Sequence, residues 1–468
     1  MKSILDHSCV YRPLLTISSK VNPSPSLQPK HESLQAGALG WTRVAGLGVA
    51  IAVSGQFSGW NYGLAAGGWG GLVAAAFCTG LFYLGFTQCV AELSAAMPSA
   101  GGFETYCHRA FGNAAGYMVG MSVLVALSIA IGVVADFTAA YARSLSGITL
   151  WGSKLLLFGG VLFLQLRGAR EAVGVTMWVG AIAIAVLLTF CASMAPFARI
   201  GHLLSHDGGG WFPHGFAGVF AALPYALWLF LAVEQAALAA EEAADPAKTI
   251  PKALAIAVLT LLASGLSVLL FAPAGGGVDH IGGADDPLLA ALTSPLAYGH
   301  HNWITGIIGA GALVGLIATF FSVVYASSRQ LYSLSRDHYL PTWLCVTNGK
   351  QAPRAALLVV IAIGFVASLF PPERGMLLVI FLLSLSYLMV LGAYLRLRRH
   401  EPGMPRPYRA VGGTLTAFAT TAISLFVLGA CVVGEPLGMM YAVAVYALLL
   451  AYFLLFQRSK LRQIQVNS

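Results

Sequence analysis

Apolar runs of about 20 residues have the length a helix needs to cross roughly 30 Å of hydrocarbon, and this chain contains twelve of them. Allowing a few residues at each end, they fall at 44–64, 70–97, 114–142, 147–166, 172–196, 217–241, 251–272, 303–327, 355–370, 375–395, 414–434 and 437–457. Inside lipid every backbone polar group must find a partner within the protein, so a chain patterned this way is expected to fold as an all-α integral membrane bundle of twelve transmembrane helices. No soluble domain remains once the runs are subtracted. The longest pieces left for water are the N-terminal stretch 1–40, the loop 273–302 and the loop 328–354. Charged residues make up only 9% of the 468, against roughly 25% in soluble domains.

Twelve crossings put both termini on one side, and the basic residues say which. Of the 26 Lys and Arg, all but Arg143, Lys154, Arg199 and Arg374 lie in the termini and in alternate loops. The positive-inside rule therefore places both termini in the cytoplasm. The same asymmetry accounts for the net charge of +8 as topology, which removes nucleic acid as a partner. Residues 1–40 are rich in Ser and Pro, lack a signal-peptide core and read as a disordered cytoplasmic tail, with 458–468 a second short tail. The seven cysteines are scattered without metal or redox spacing and read as small apolar residues.

Two runs break the apolar pattern. In VSGQFSGWNYG (53–63) polar side chains and glycines interrupt the first span around Ser54, Gly55, Gln56 and Phe57. Small residues there let helices approach closely, whereas the Gln56 amide brings a donor and an acceptor that packing does not require. In LPYALWLFLAVEQAALAAEEAADPAKTIP (223–251) Pro224 frees a carbonyl, and Glu234 and Gln235 lie near the middle of the sixth span. A carboxylate at such depth costs at least about 2.5 kcal/mol on insertion scales, so Glu234 should face the bundle interior, as a structural hydrogen-bonding group or a functional one. Each break is in the first span of a block of five. Interrupted spans at corresponding positions of two halves point to an inverted-repeat transporter with its site at the midplane. Helix-terminal amides at such breaks suit an anionic group, and freed carbonyls suit an ammonium or a cation. Asp136, near the outer end of the third span, reads either as an interfacial structural group or as an outer-vestibule contact for a cationic substrate.

These residues resemble the amino acid–polyamine–organocation (APC) permeases. Val53-Ser54-Gly55-Gln56-Phe57 is similar to the family's first-span break, and AELSAAMPSAGGFETYCHRAFG (91–112) to the loop after its second span. Phe230, Glu234, Glu241, Glu242, Asp245, Pro246, Ile250 and Pro251 match its sixth-span pattern. SSRQLYSLSRDHYLP (327–341) resembles the end of its eighth span. The resemblance covers about residues 40–455. SGQFSGWNYGLAAGGWGG (54–71) and LPYALWLFLAVEQAALAAEE (223–242) are nearest in flavour to the ethanolamine-permease-like branch, with the departure that Gln56 stands where an acidic residue is expected.

The resemblance implies the LeuT-type fold: five-plus-five inverted repeats at about 41–196 and 215–396, broken helices 1 and 6, and two C-terminal helices at about 413–457, within a transporter domain spanning 41–457. It implies a secondary transporter of a small amine or amino acid in the plasma membrane, the inner membrane of a bacterium, working as monomer or homodimer with no cofactor. Ser54 and Gly55 would bind a substrate carboxylate through their amides, with Gln56 and Phe57 beside it. Trp228 would form an aromatic gate, and carbonyls around Phe230, Leu231 and Ala232 would receive the amino group. Ala232 stands where many members have glycine. TMWVGAIAIAVLLTF (176–190) has no counterpart of the fifth-span lysine used by some proton-coupled members. Glu234 is therefore the candidate for H+ coupling, with Na+ symport or exchange as rivals. Glu92, Glu104, Arg109, Glu241, Glu242, Arg329, Arg336 and Asp337 border spans that must move, and form either inner-gate ion pairs or solvated loop charges. An enzyme would be expected to show clustered His, Asp or Cys, and His202, His206, His214, His300 and His301 lie in outer loops without such a pattern. A channel would show repeated pore elements or charged rings.

Overall fold

The computed structural model describes residues 39–457 apart from 100, 168, 205–209, 348–352 and 435, and without the side chains of 167, 169–177, 431, 434 and 456. The two tails, apart from residues 39 and 40, lie outside the described residues, as do Lys350, His206 and the side chains of Arg167 and Arg170. Among the described residues the chain is helical throughout, with strand-like pairing confined to two isolated bridges, Leu39 with Ala243 and Thr347 with Pro353.

The α-helices run in the order α1 (Trp41–Ala52), α2 (Ser54–Phe57), α3 (Trp60–Ala96), α4 (Phe103–Phe111), α5 (Asn113–Ser146), α6 (Leu150–Arg167), α7 (Ala169–Met194), α8 (Gly215–Trp228), α9 (Pro246–Gly276), α10 (Val278–Gly282), α11 (Pro287–Thr293), α12 (Trp303–Arg336), α13 (Arg354–Ala367), α14 (Pro372–His400), α15 (Thr414–Gly434) and α16 (Pro436–Tyr452). A 3₁₀ segment, Val233–Glu242, follows α8. Among the described residues eight helical stretches are long and apolar enough to cross a bilayer, and four shorter apolar helices lie at Trp41–Ala52, Leu150–Leu166, Arg354–Ala367 and Thr414–Ala430.

Three features depart from a plain reading of the hydropathy. α3 joins the end of the first expected span to the whole of the second. A continuous helix of 37 residues would be roughly 55 Å long, far more than a bilayer core, and Gly68 (φ 69°, ψ 178°) breaks it where Pro213 packs against the glycine. The stretch 273–302 is not an open loop: α10 and α11 bury Ile281, Leu288 and Leu292 against the bundle. α12 runs on past 327 to Arg336, so residues 327–336 of the motif expected at the end of that span are helical and 337–341 follow it.

α3 packs on α8, α5 on α12 and α14, and α1 on α7 and α9. At one end of the bundle Leu39 pairs with Ala243, and α3 and α14 are bound together there through Glu92 and Arg398. At the other end Asn61 donates to the carbonyls of Gly282 (3.2 Å) and Ala284 (2.8 Å), and Tyr141 accepts from the Leu288 amide (3.4 Å). The outward surfaces of α6 and α16 carry exposed Leu155, Leu156, Phe163, Met440 and Leu448, the apolar exterior that lipid requires.

Candidate functional site

The first interruption lies between α1 and α3. α2 is a single helical turn, in which the Ser58 amide donates to the Ser54 carbonyl (3.0 Å). The backbone then opens at Ser58 (φ −154°, ψ 156°) and Gly59 (φ 97°), a left-handed conformation suited to glycine. Several side chains hold this opening. Asn61 Oδ1 accepts from the Gly59 amide (3.1 Å), the Trp228 indole donates to the Ser58 carbonyl (3.2 Å), and the Tyr141 hydroxyl donates to the Phe57 carbonyl (2.8 Å).

The second interruption follows α8. Loose three-residue bonds such as Leu231 N–H to the Trp228 carbonyl (3.3 Å) carry the chain through Leu229, Phe230 and Leu231. Ala232 then turns left-handed (φ 68°, ψ 9°), and the 3₁₀ segment begins. The two breaks touch: a Cβ on Gly55 would lie 2.3 Å from the Trp228 carbonyl oxygen. Gly55 is thus the point at which one broken backbone passes against the other.

A buried cavity sits beside this contact. It is lined by Ile51, Ala52 and Ser54 from the first break, by Trp228, Leu231 and Ala232 from the second, by Leu127, Ala130 and Val134 of α5, by Thr319 and Val323 of α12, and by Val379 and Leu383 of α14. Each helix contributes a stripe at spacings of three or four, one face of an α-helix. The cavity has room for about one water-sized sphere, roughly 20 Å³ by that measure. Thr319 Oγ1 donates to the Ala50 carbonyl (2.6 Å), which ties α12 to α1 at its edge.

Of the residues expected at a substrate site, Ser54, Trp228, Leu231 and Ala232 line this cavity, and Gly55 stands behind it against Trp228. Gln56 lies elsewhere: its Nε2 donates to the Leu261 carbonyl of α9 (2.8 Å), and its Oε1 is buried without a partner. Phe57 packs on Gly315, and the Phe230 ring meets Tyr83, centroids 5.8 Å apart. The α5, α12 and α14 walls were missed from sequence, because a buried aliphatic stripe looks the same whether it faces a helix or a cavity.

Glu234 is fully buried. Its Oε1 accepts from Tyr387 (2.9 Å) and from Gln235 (3.0 Å), its Oε2 has no partner, and among the described residues no Lys, Arg or His pairs with it. Tyr387 continues to Tyr83, 3.3 Å between hydroxyl oxygens. Asp136 is ion-paired to Lys154 of α6, whose ammonium also donates to the Ser368 carbonyl (2.6 Å). That pairing favours the structural alternative for Asp136.

The remaining charged candidates from the sequence gather at the end of the bundle that carries Leu39. Glu242 accepts from Arg329 Nη2 (2.9 Å) and Nε (3.0 Å) and from Tyr325 (3.0 Å), all buried. Glu92 is held by Arg398 (2.9 and 2.6 Å), by Tyr394 (3.0 Å), by the Ala410 amide (2.8 Å) and by Arg406 (3.3 Å). Arg398 and Arg406 look in the sequence like ordinary topogenic charges, and nothing there marks them as partners of Glu92. Arg336 reaches Glu241 (3.5 Å) and Asp337 (3.6 Å), and burial next to Asp337 holds the Glu104 carboxyl well above the usual carboxylate range. Arg109 meets Glu401 (3.1 Å) at an exposed surface, where such a pair contributes about 0–1 kcal/mol.

The amino acid permease family model matches residues 44–456. The chain is 28% identical to a probable GABA permease of Pseudomonas aeruginosa over 88% of its own length and 90% of that protein. It is 25% identical to a branched-chain amino acid permease of Bacillus subtilis over 69% and 72% of the two chains. In fold it is similar to a mutant manganese transporter of Eremococcus coleocola, with a TM-score of 0.57, 14% identity and coverage of 92% and 96%.

Proposed function

The chain belongs to the amino acid permease family, a multi-pass plasma-membrane transporter of amino acids, and from that premise we propose that it moves its substrate by alternating access through the cavity beside Gly55 and Trp228. The observation that carries this reading is the contact of two broken helices around a buried cavity, since irregular backbone at membrane depth persists only against protein or a watery space. In this reading α1 with the first turns of α3, and α8 with the 233–242 segment, are the interrupted first and sixth of twelve crossings. They belong to inverted repeats over about 41–196 and 215–396, with α15 and α16 outside them. Both termini face the cytoplasm, as the basic residues argue.

Ser54 and the backbone near Leu231 and Ala232 receive the carboxylate and ammonium, and Trp228 covers the cavity. Glu234 supplies the coupling proton: a buried carboxyl without a cation is more stable neutral, and Tyr387 and Tyr83 give it hydrogen-bonded neighbours. The test is uptake into proteoliposomes under imposed proton or sodium gradients. Wild-type protein should accumulate an amino acid on a proton gradient. E234Q should lose that accumulation yet still exchange internal for external substrate. Accumulation by E234Q equal to wild type, or drive by sodium alone, overturns the coupling role.

A further inference from the structure

Resting on the reading of the cavity as the substrate site, we propose that the substrate is a neutral α-amino acid with a small aliphatic side chain, selected by the α5 and α14 wall. Among the described residues, none that lines the cavity is charged. Glu234 and Asp136 are not among its lining residues: Glu234 Oε1 accepts from Tyr387 and Gln235, and Asp136 is paired with Lys154. A lysine or glutamate substrate would therefore bring a second charge against aliphatic groups with no partner for it, a penalty proteins avoid by pairing or neutralising the charge. Ethanolamine, a cation with no carboxylate, would need an acid in the cavity, and the residue of the first break that differs from an acid, Gln56, points to α9 instead.

The polar side chains that line the cavity are Ser54, Thr319 and Trp228, and of these Thr319 is bonded to the Ala50 carbonyl and the Trp228 indole to the Ser58 carbonyl. Ser54 and the backbone at Leu231 and Ala232 lie together where the two breaks meet, which suits an ammonium and a carboxylate on one carbon better than the separated groups of an ω-amino acid. The lining that α5 and α14 supply is Leu127, Ala130 and Val134 with Val379 and Leu383. These walls present only methyl and methylene groups. Ala130 is the smallest of them, so the substrate side chain has its room there. In an apolar pocket one methylene more or less changes discrimination by roughly 10–200-fold, which lets a single wall residue set the size limit.

The experiment measures initial uptake by reconstituted full-length protein for alanine, valine, leucine, phenylalanine, lysine, glutamate, 4-aminobutyrate and ethanolamine, in wild type and in A130L. Wild type should prefer alanine, valine or leucine over lysine, glutamate and ethanolamine by at least about 100-fold. A130L should lower the leucine-to-alanine uptake ratio at least tenfold. The ratio is taken within one preparation, so a smaller folded fraction does not move it. A best substrate among lysine, glutamate, 4-aminobutyrate or ethanolamine overturns the inference and leaves the transporter reading intact, and so does an unchanged ratio in A130L. Absence of saturable uptake for every amino acid overturns both.

Discussion

Ala232 shows how one residue sets the shape of the site. It adopts φ 68° without being glycine, a conformation that costs an L-residue about 1–2 kcal/mol. The Val233 amide donating to the Phe230 carbonyl (3.3 Å) and the Gln235 amide donating to the Ala232 carbonyl (3.0 Å) hold it there. Replacement by glycine removes the strain but loosens the unfolded chain, so A232G should change stability by no more than about 1 kcal/mol. A β-branched side chain is far worse in this region, and A232V should lose about 2 kcal/mol or more, with transport lost alongside. Thermal unfolding of the purified protein in detergent checks both, and equal melting temperatures for A232G and A232V would show that the left-handed turn is not strained. Sequence already located this position, since alanine stands there where many relatives have glycine. The direction of Gln56 was not legible, because an amide in a broken helix can face the cavity or a neighbouring helix, and only the α9 carbonyl within 2.8 Å decides between them.

At the scale of elements, the 3₁₀ segment Val233–Glu242 is the most conditional piece of the bundle. 3₁₀ geometry is poorer than α-helical, and runs beyond three or four residues are uncommon, so ten residues require outside support. That support comes from Glu242 bonded to Arg329 and Tyr325, from the Leu39 amide on the Glu242 carbonyl (3.0 Å) and from the Ala244 amide on the Leu39 carbonyl (3.1 Å). E242Q leaves the Arg329 guanidinium buried without its counter-charge, a change that costs about 3–5 kcal/mol in other proteins. Amide hydrogen exchange across 233–245 should accelerate at least about tenfold, the equivalent of 1.4 kcal/mol, while exchange in α5 stays as it was. Uniform acceleration through the whole chain would mean that the pair supports global folding rather than this segment. The helices themselves were largely legible, because lipid forces a hydropathy signal on each of them. Arg329 and Glu242 both stand among the candidates for ion pairs, and they pair with each other; the partners of Glu92 were not legible, since an arginine just beyond an apolar run reads as topology whether or not a carboxylate lies against it.

Over the whole molecule, the space between the two breaks holds about one water-sized sphere, so an amino acid enters it only when the walls part. Transport needs the walls to separate toward each side in turn, and differential binding to shift the two populations. The end that carries Leu39 is closed by neutral backbone as well as by charge: the Leu39–Ala243 bridge joins the entry of α1 to the exit of the 3₁₀ segment. If the two broken helices part at this end during the cycle, the bridge must open. Bridge partners lie roughly 5 Å apart, within the Cα range of an unstrained disulfide, so Cys at 39 and 243 can test the movement directly. In a background with all seven cysteines replaced, oxidation of the L39C/A243C protein should cut uptake at least about tenfold, and reduction should restore it. The single variants should be insensitive to oxidant. Full transport by a protein shown on a gel to be cross-linked would place the moving contact elsewhere, with the Glu92–Arg398 and Arg336–Glu241 pairs the next junctions to lock.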